Sequence, residues 1–359
     1  MMKQKKNLTK TLLNQNFYKT MNKVKNQLIT EDYAIYNSDC MYVLPTLEDE
    51  SVGLSVYSPP FAGLYNYSSS PNDFSNCDSK DEFLTQYDYL IKEMSRVTKK
   101  GRLNCVHVTE VVENDGSSWD FPNEVIRLHE KHGFLYKGRV TIWKEPLKVR
   151  MRTMVKSLMH KLIVEDATQC FPAQPDYLLL FKKKGEIEEP VTHEFGMNNY
   201  FGETPILPNI LQAWNNANNS NLTSEQLWEH LNSINESNKI TKLNHYVWQR
   251  YASSVWDDVR IDNVLPFKDS REEDDEKHVH PLQLDVIDRL VEMYSNEGEV
   301  VLTPFMGVGS EVYSPVSLGR KAIGIELKDS YFKQAKLNLE EAKHRFKDEV
   351  KQISILDQI

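Results

Sequence analysis

The feature that most constrains this chain is a strand that is made to stop. Val52, Leu54 and Val56 form an apolar run, interrupted by Gly53 and Ser55, that leads into Tyr57-Ser58-Pro59-Pro60-Phe61. The run predicts a buried strand. The two prolines end it, because each fixes its φ and removes a backbone donor. Neighbouring carbonyls are thereby held rigid and left free to accept hydrogen bonds from elsewhere. A hydroxyl stands on one side of this elbow and an aromatic ring on the other. Such an arrangement suits an exocyclic amino group carried on a ring that stacks. As an isolated string it reads first as a turn with a packed aromatic, so the rest of the chain has to raise it to chemistry.

Strands and helices alternate through most of the 359 residues. Ala34-Ile35-Tyr36 reads as a short strand ending in Asn37-Ser38-Asp39-Cys40, where Asp39 is either a helix N-cap or something more. Residues 62 to 80 have the composition of a surface loop, one that could order over a ligand. Ser79 or Asp81 caps a helix carrying Phe83, Leu84, Tyr87, Leu90, Ile91 and Met94 on one side. Leu103 to Val108, Arg139 to Trp143 and Tyr177 to Phe181 read as strands, and Phe121 to His132 as a helix. Further on, His280-Pro281 opens an amphipathic helix with Leu284, Ile287, Leu290 and Val291 as its packing side. Val300-Val301-Leu302 and Ala322 to Ile325 are strands, separated by a helix from Ser310 that Pro315 shortens or kinks. This order predicts an α/β protein whose sheet is parallel or mostly parallel.

From Glu186 to about Asn244 the chain turns polar and Asn-rich, with one modest helix near Leu222 to Trp228, as an inserted or substrate-recognising region would. The aromatic stretch His245 to Trp256 reads as core in preference to a nucleotide-facing platform. Arg271 to Lys277 is a solvated link. No apolar run reaches the length of a membrane span, and the N-terminus lacks a secretory apolar core. Cys40, Cys77, Cys105 and Cys170 lack metal-ligand spacing, which points to a reducing cytoplasm and away from a metal centre. A net charge of -9 argues against a protein that simply coats nucleic acid. The local balance differs: Lys144, Lys148, Arg150, Arg152, Lys156 and Lys161 face only Glu145. Met1 to Lys25 has basic but no acidic residues and reads as an arm, with Met21 as an alternative start.

A second site lies near the far end of the chain. Gly307 and Gly309 fall between a strand and a helix, where absent side chains permit close approach of a ligand. Glu326 ends the following strand at the same edge. Glycine turn, helix, strand and acid in this order suit a nucleoside cofactor, with the carboxylate on ribose hydroxyls. A phosphate loop would need Gly-Lys-Ser or Gly-Lys-Thr, and the dinucleotide fingerprint would need a third glycine. The alternative is a structural glycine turn.

With both sites in hand, the chain resembles an S-adenosylmethionine-dependent DNA amino-methyltransferase acting on cytosine N4 or adenine N6. The resemblance is to the β-ordered group, in which the catalytic elbow precedes the recognition region and the cofactor loop comes late. It covers roughly Tyr33 to Leu339, and phage-encoded DNA methylases are similar in stretches such as Tyr177 to Phe181 and Tyr246 to Asp258. The resemblance implies a Rossmann-like class I methyltransferase with a mixed, mostly parallel seven-stranded sheet. Its divisions are a basic flexible arm (1–30), a catalytic half (31–184), an inserted recognition region with linker (185–277), a cofactor-binding half (278–348) and a tail (349–359).

Residue by residue, Ser58-Pro59-Pro60-Phe61 is similar to the catalytic motif. Ser58 and the Pro59 carbonyl would hold the target amino group, and Phe61 would stack on a flipped base. Thr303-Pro304-Phe305-Met306-Gly307-Val308-Gly309 resembles the cofactor loop, Glu326 the ribose-binding acid, and Asp39 the acid at the adenine edge. His280-Pro281-Leu282-Gln283 resembles the segment closing over the methionine portion. The departure is Thr303, where many members carry Asp; Asp285 or Glu311 would have to compensate. Lys148, Arg150, Arg152 and Lys156 are the expected phosphate contacts on double-stranded DNA, and monomer and homodimer are both left open. Ser58 leans toward cytosine N4, because many adenine N6 members have Asp or Asn there. The alternatives are a catalytically silent DNA-binding or host-interaction protein that kept the fold, and an RNA or protein-factor methyltransferase.

Overall fold

Alternation along the strands sorts apolar side chains onto the two faces of one sheet. Tyr36, Leu302, Ile323 and Ile325 join the core on one face, while Tyr33, Ile35 and Ala322 join that on the other. Successive strand residues point to opposite sides, so both faces must be covered by helices. The computed structural model describes residues 23–60, 74–77, 79–113, 117–153, 155–194, 196–197, 199–233, 242–271 and 280–356, with backbone alone at 75, at 152–153 and from 343 on. Residues 1–22, which hold most of the expected basic arm, and Phe61 lie outside the described residues.

The strands are β1 (Asn26–Ile29), β2 (Tyr33–Asn37), β3 (Val52–Tyr57), β4 (Thr98–Val108), the small pair β5 (Val111–Val112) and β6 (Ser118–Trp119), β7 (Phe134–Ile142), β8 (Asp176–Lys183), β9 (Val255–Trp256), β10 (Val300–Thr303) and β11 (Lys321–Glu326). The helices are α1 (Cys40–Val43), α2 (Lys80–Val97), α3 (Phe121–Lys131), α4 (Pro146–Thr153), α5 (Leu162–Glu165), α6 (Pro208–Asn218), α7 (Ser224–Ser233), α8 (Lys242–Tyr251), α9 (Leu284–Tyr294), α10 (Ser310–Ser317) and α11 (Asp329–Leu356). Among the described residues nine strands form the main sheet, in the order β1-β2-β11-β10-β3-β4-β8-β7-β9. The five from β2 to β4 run parallel, and β8 reverses direction between β4 and β7.

Seven strands were expected. The two more stand at the edges: β1, an antiparallel partner of β2, and the two-residue β9 beside β7. β1 lies within the segment expected to be an arm; four residues, of which Asn26 and Gln27 are exposed and Leu28 and Ile29 half-buried, give little strand signal, and pairing with the wholly buried β2 supplies the order. Residues of α2 and α3 pack on one face, and residues of α9, α10 and α11 on the other. Among the described residues no helix is long and apolar enough to cross a membrane.

Among the described residues the polar region forms two helices, α6 and α7, where one was expected, and α8 runs from its end into the aromatic stretch. Pro208 opens α6 and Asn219 closes it in a left-handed conformation, and its apolar residues Ile210, Leu211 and Trp214 stay at least partly exposed, the helix burying no residue. The aromatic stretch is core at Tyr251 and Trp256, whereas Trp248 is exposed. This region is bound to α9 through Asp258, which accepts from Arg250 Nη2 at 2.7 Å, from Arg289 Nη2 at 2.9 Å, and from Tyr200 Oη. Arg289 is wholly buried. Removing one partner of such a cluster leaves a charge without compensation, so Asp258→Ala should lower stability by about 3–5 kcal/mol. Denaturant unfolding checks this; a loss below about 1 kcal/mol would show that the cluster is not what joins the region to the sheet.

Candidate active site

Because β2, β11, β10, β3, β4 and β7 run the same way, their C-terminal ends share one edge, where β8 begins. The connection β10–α10–β11 covers one face and β3–α2–β4 the other, which makes the gap between β10 and β3 a topological switch point. Crevices for ligands open at such points. Here a cleft of about 1330 Å³ does so, lined among others by Asp39, Ser58, Pro59, Pro60, Gly307 and Glu326.

One end of the cleft is built by the glycine turn. Glu326 Oε2 accepts from the Gly307 N–H at 2.9 Å and Oε1 from the Lys328 N–H at 2.8 Å, so the carboxylate is fixed at the end of β11. Gly307 has φ +53 and nothing within 4 Å of where a Cβ would stand. Asp39 Oδ1 accepts from the Met41 N–H at 2.8 Å and caps α1, and the residue also lines the cleft. Burial pushes its carboxyl upward, an effect that the Met41 N–H, Cys40 and Lys23 oppose. Pro304, Phe305, His280, Pro281 and Gln283 line the cleft as well. Phe305 packs edge-on to Phe74, with ring centres 5.7 Å apart. His280 leans on Phe267 at 5.1 Å.

Two expected cofactor residues do not line the cleft. Thr303 is wholly buried in the sheet, and its Oγ1 has no hydrogen-bond partner among the described residues. Gly309, with φ +98, faces α11: a Cβ there would stand 3.2 Å from that of Ala335. Backbone conformation and helix packing both favour glycine at this position.

The elbow builds the other end. β3 is wholly buried and delivers Ser58 to the edge. Ser58 Oγ lies 3.4 Å from His107 Nδ1, near the end of β4. His107 Nε2 stands 3.2 Å from Asp176 Oδ2, a close charge contact off the ideal hydrogen-bond direction. Asp176 in turn accepts from Lys144 Nζ. Burial alone would raise the Asp176 carboxyl, yet Lys144 and His107 hold it well below the usual carboxylate range. His107 and Asp176 were not singled out in the sequence. One ends a strand and the other starts its antiparallel neighbour, so only the pairing of β4 with β8 brings them together. A polar residue at the end of an apolar run was the one available signal.

Lys148 is exposed on α4 and lines the cleft; Arg150, on the same helix, is half-buried. Lys156 is exposed in the following turn, and the side chain of Arg152 lies outside the described residues. Lys144, which began the same basic run, is held by Asp176.

A family model described as DNA methylase, of the N6/N4 methyltransferase type, matches residues 52–337. The chain therefore belongs to that family. The type II methyltransferase M.BglII of Bacillus subtilis is 23% identical over 301 residues, 83% of this chain and 66% of the relative. The DNA adenine methyltransferase YhdJ of Escherichia coli K12 is 30% identical over 110 residues, 30% of this chain and 34% of the relative. Among solved structures, a DNA modification methylase of Thermus thermophilus complexed with S-adenosyl-L-methionine matches with TM-score 0.52 and 20% identity, over 85% of this chain and 93% of that one. PvuII DNA methyltransferase (cytosine-N4-specific) matches with TM-score 0.50 and 14% identity, over 89% and 92%. The fold is that of the class I methyltransferases.

Asp176 gives a pH prediction whose sign follows from its depressed value. Its contribution is complete above the unfolded aspartate value near about 4 and disappears as pH falls through the lower native one. Asp176→Asn should therefore be most destabilising at neutral pH, with the gap to wild type closing in acid. Unfolding measured at several pH values checks this, and parallel stability profiles would contradict it.

Proposed function

We propose that this protein transfers the methyl group of S-adenosylmethionine to the exocyclic amino group of a base in double-stranded DNA, cytosine N4 ahead of adenine N6, with the base turned out of the duplex. The observation that carries this reading is that Ser58-Pro59-Pro60 and the Gly307–Glu326 turn, from opposite parts of the chain, line one cleft. The cofactor fits the donor set: a fixed carboxylate at Glu326 for ribose hydroxyls, open space over Gly307, and Asp39 for an amino edge. When bound, the cofactor supplies an electrophilic methyl group. An amino nitrogen conjugated to its ring is a weak nucleophile, so the chain has to orient its lone pair and relieve it of a proton. Ser58 Oγ and the Pro59 carbonyl orient the amino group, and close approach lowers the barrier. The base must leave its stack to reach them. The departing proton has a path from Ser58 to His107, which stands against the Asp176 carboxylate.

The test is incubation with isotope-labelled cofactor and mixed-sequence DNA, followed by nucleoside mass analysis. Label in N4-methylcytosine is expected; label only in N6-methyladenine would correct the base, and none in DNA would reject the activity. Ser58→Ala should slow single-turnover transfer on the order of 100-fold, the scale of one preorganised hydrogen-bonding group.

Lys148, Arg150, Arg152 and Lys156 are the proposed phosphate contacts, which supports an orientation with α4 against the duplex. Neutralising all four should weaken binding to DNAs of any sequence. The dependence of log affinity on log salt should become shallower by about 0.9 for each phosphate no longer neutralised. Binding measured across a salt series decides; an unchanged slope in a folded variant would reject the assignment.

A further inference from the structure

We propose that Glu311 is the carboxylate that receives the cationic amino-acid end of the cofactor, supplying the negative charge that Thr303 does not. This rests on the cofactor reading above and goes one step further. Three observations lead to it. Thr303 is uncharged, wholly buried and absent from the cleft lining. Asp285, the other acid able to compensate, is wholly buried and engaged: it accepts from the Arg260 N–H at 2.8 Å, from Arg260 Nη2 at 2.5 Å and from Asn263 Nδ2 at 2.7 Å. Glu311, in the first turn of α10, is 5% exposed and lines the cleft beside Gly307.

The cleft lining also contains buried polar atoms without a partner, one of them on the residue next to Glu311. Ser310 Oγ and Gln283 Oε1 are buried, line the same cleft, and have no hydrogen-bond partner among the described residues. Buried groups of this kind are rare unless a ligand or water completes them. Together with Glu311 they offer an acid, a hydroxyl and an amide oxygen, a set suited to an ammonium donor.

The charge state of Glu311 supplies a signature. Burial pushes its carboxyl up to about 8, opposed by its own backbone N–H and reinforced by Glu326. Other ionisable groups lining the cleft include Lys328 beyond β11, Tyr331 on α11, Asp39 and Cys40 beyond β2, and Asp262 and His280 before α9, with Glu326 the charge that acts on Glu311. At neutral pH the free protein therefore holds Glu311 mostly protonated. An arriving cation favours the charged form, so binding should expel a proton. Affinity should rise with pH below about 8, by at most tenfold per unit for one proton.

The experiment is calorimetric titration of the full chain with S-adenosylmethionine near pH 7, in two buffers of different ionisation enthalpy. This lies below the titration of the ligand's own amino group, at about 7.7–8.0. Wild type should release close to one proton on binding. Glu311→Gln should release none, bind at least tenfold more weakly and lose the rise of affinity with pH. S-adenosylhomocysteine, which keeps the amino-acid end but lacks the sulfonium charge, should release the same proton from wild type. Binding to wild type without proton release would overturn the inference, as would equal release from Glu311→Gln, and either would leave the cofactor reading standing. A wild-type protein that binds neither ligand would overturn the cofactor reading and this inference together.

Discussion

The structure depends on a short piece of backbone ladder. β3 and β10 pair in parallel through Val301 with Leu54 and Leu302 with Ser55, and this joins the strand carrying the elbow to the strand carrying the glycine turn. Parallel neighbours end at the same edge, so this pairing puts both motifs on one side of the sheet whatever the loops do. It also puts the switch point between them, since the crossovers on either side cover opposite faces. Side chains alone would not hold the two motifs at a fixed distance; the sheet does so with hydrogen bonds buried beneath helices on both faces.

That edge is also where the protein tolerates its most costly groups. Asp176 with Lys144 and His107, Glu326 under two backbone N–H groups, and Glu311 with its raised carboxyl all sit within or beside one cleft. Burying charges is unfavourable unless partners repay the lost hydration. The partners differ in kind. Asp176 is matched by cations and Glu326 by backbone dipoles, whereas Glu311 has a carboxylate as its charged neighbour. Perturbed groups gathered in a cleft mark a functional site more often than a structural one.

Much of this was legible in the sequence, for identifiable reasons. Val52 to Tyr57, Tyr177 to Phe181 and Ala322 to Ile325 announce strands through apolar runs, and the strand-to-turn junctions at Ser58, Gly307 and Glu326 are local events. Ser79 caps α2 as its position suggests, its Oγ accepting from the Glu82 N–H at 3.1 Å. What could not be read is non-local. His107 and Asp176 meet only through the register of β4 against β8, and β1 is too short and too exposed to announce itself. Gly309 shows a subtler limit: the glycine was legible, but its close approach to Ala335 on α11 was not, because helix packing sets it.

The central claim is that one cleft is divided between a cofactor end and a target end. Equilibrium binding of S-adenosylmethionine to Glu326→Gln and to Ser58→Ala, both checked for folding, tests that division most directly. Losing a charge-assisted acceptor costs about 1.5–3 kcal/mol, so Glu326→Gln should weaken binding by roughly 10- to 150-fold while Ser58→Ala binds as wild type does. Unchanged affinity in Glu326→Gln, or an equal loss in Ser58→Ala, would contradict it.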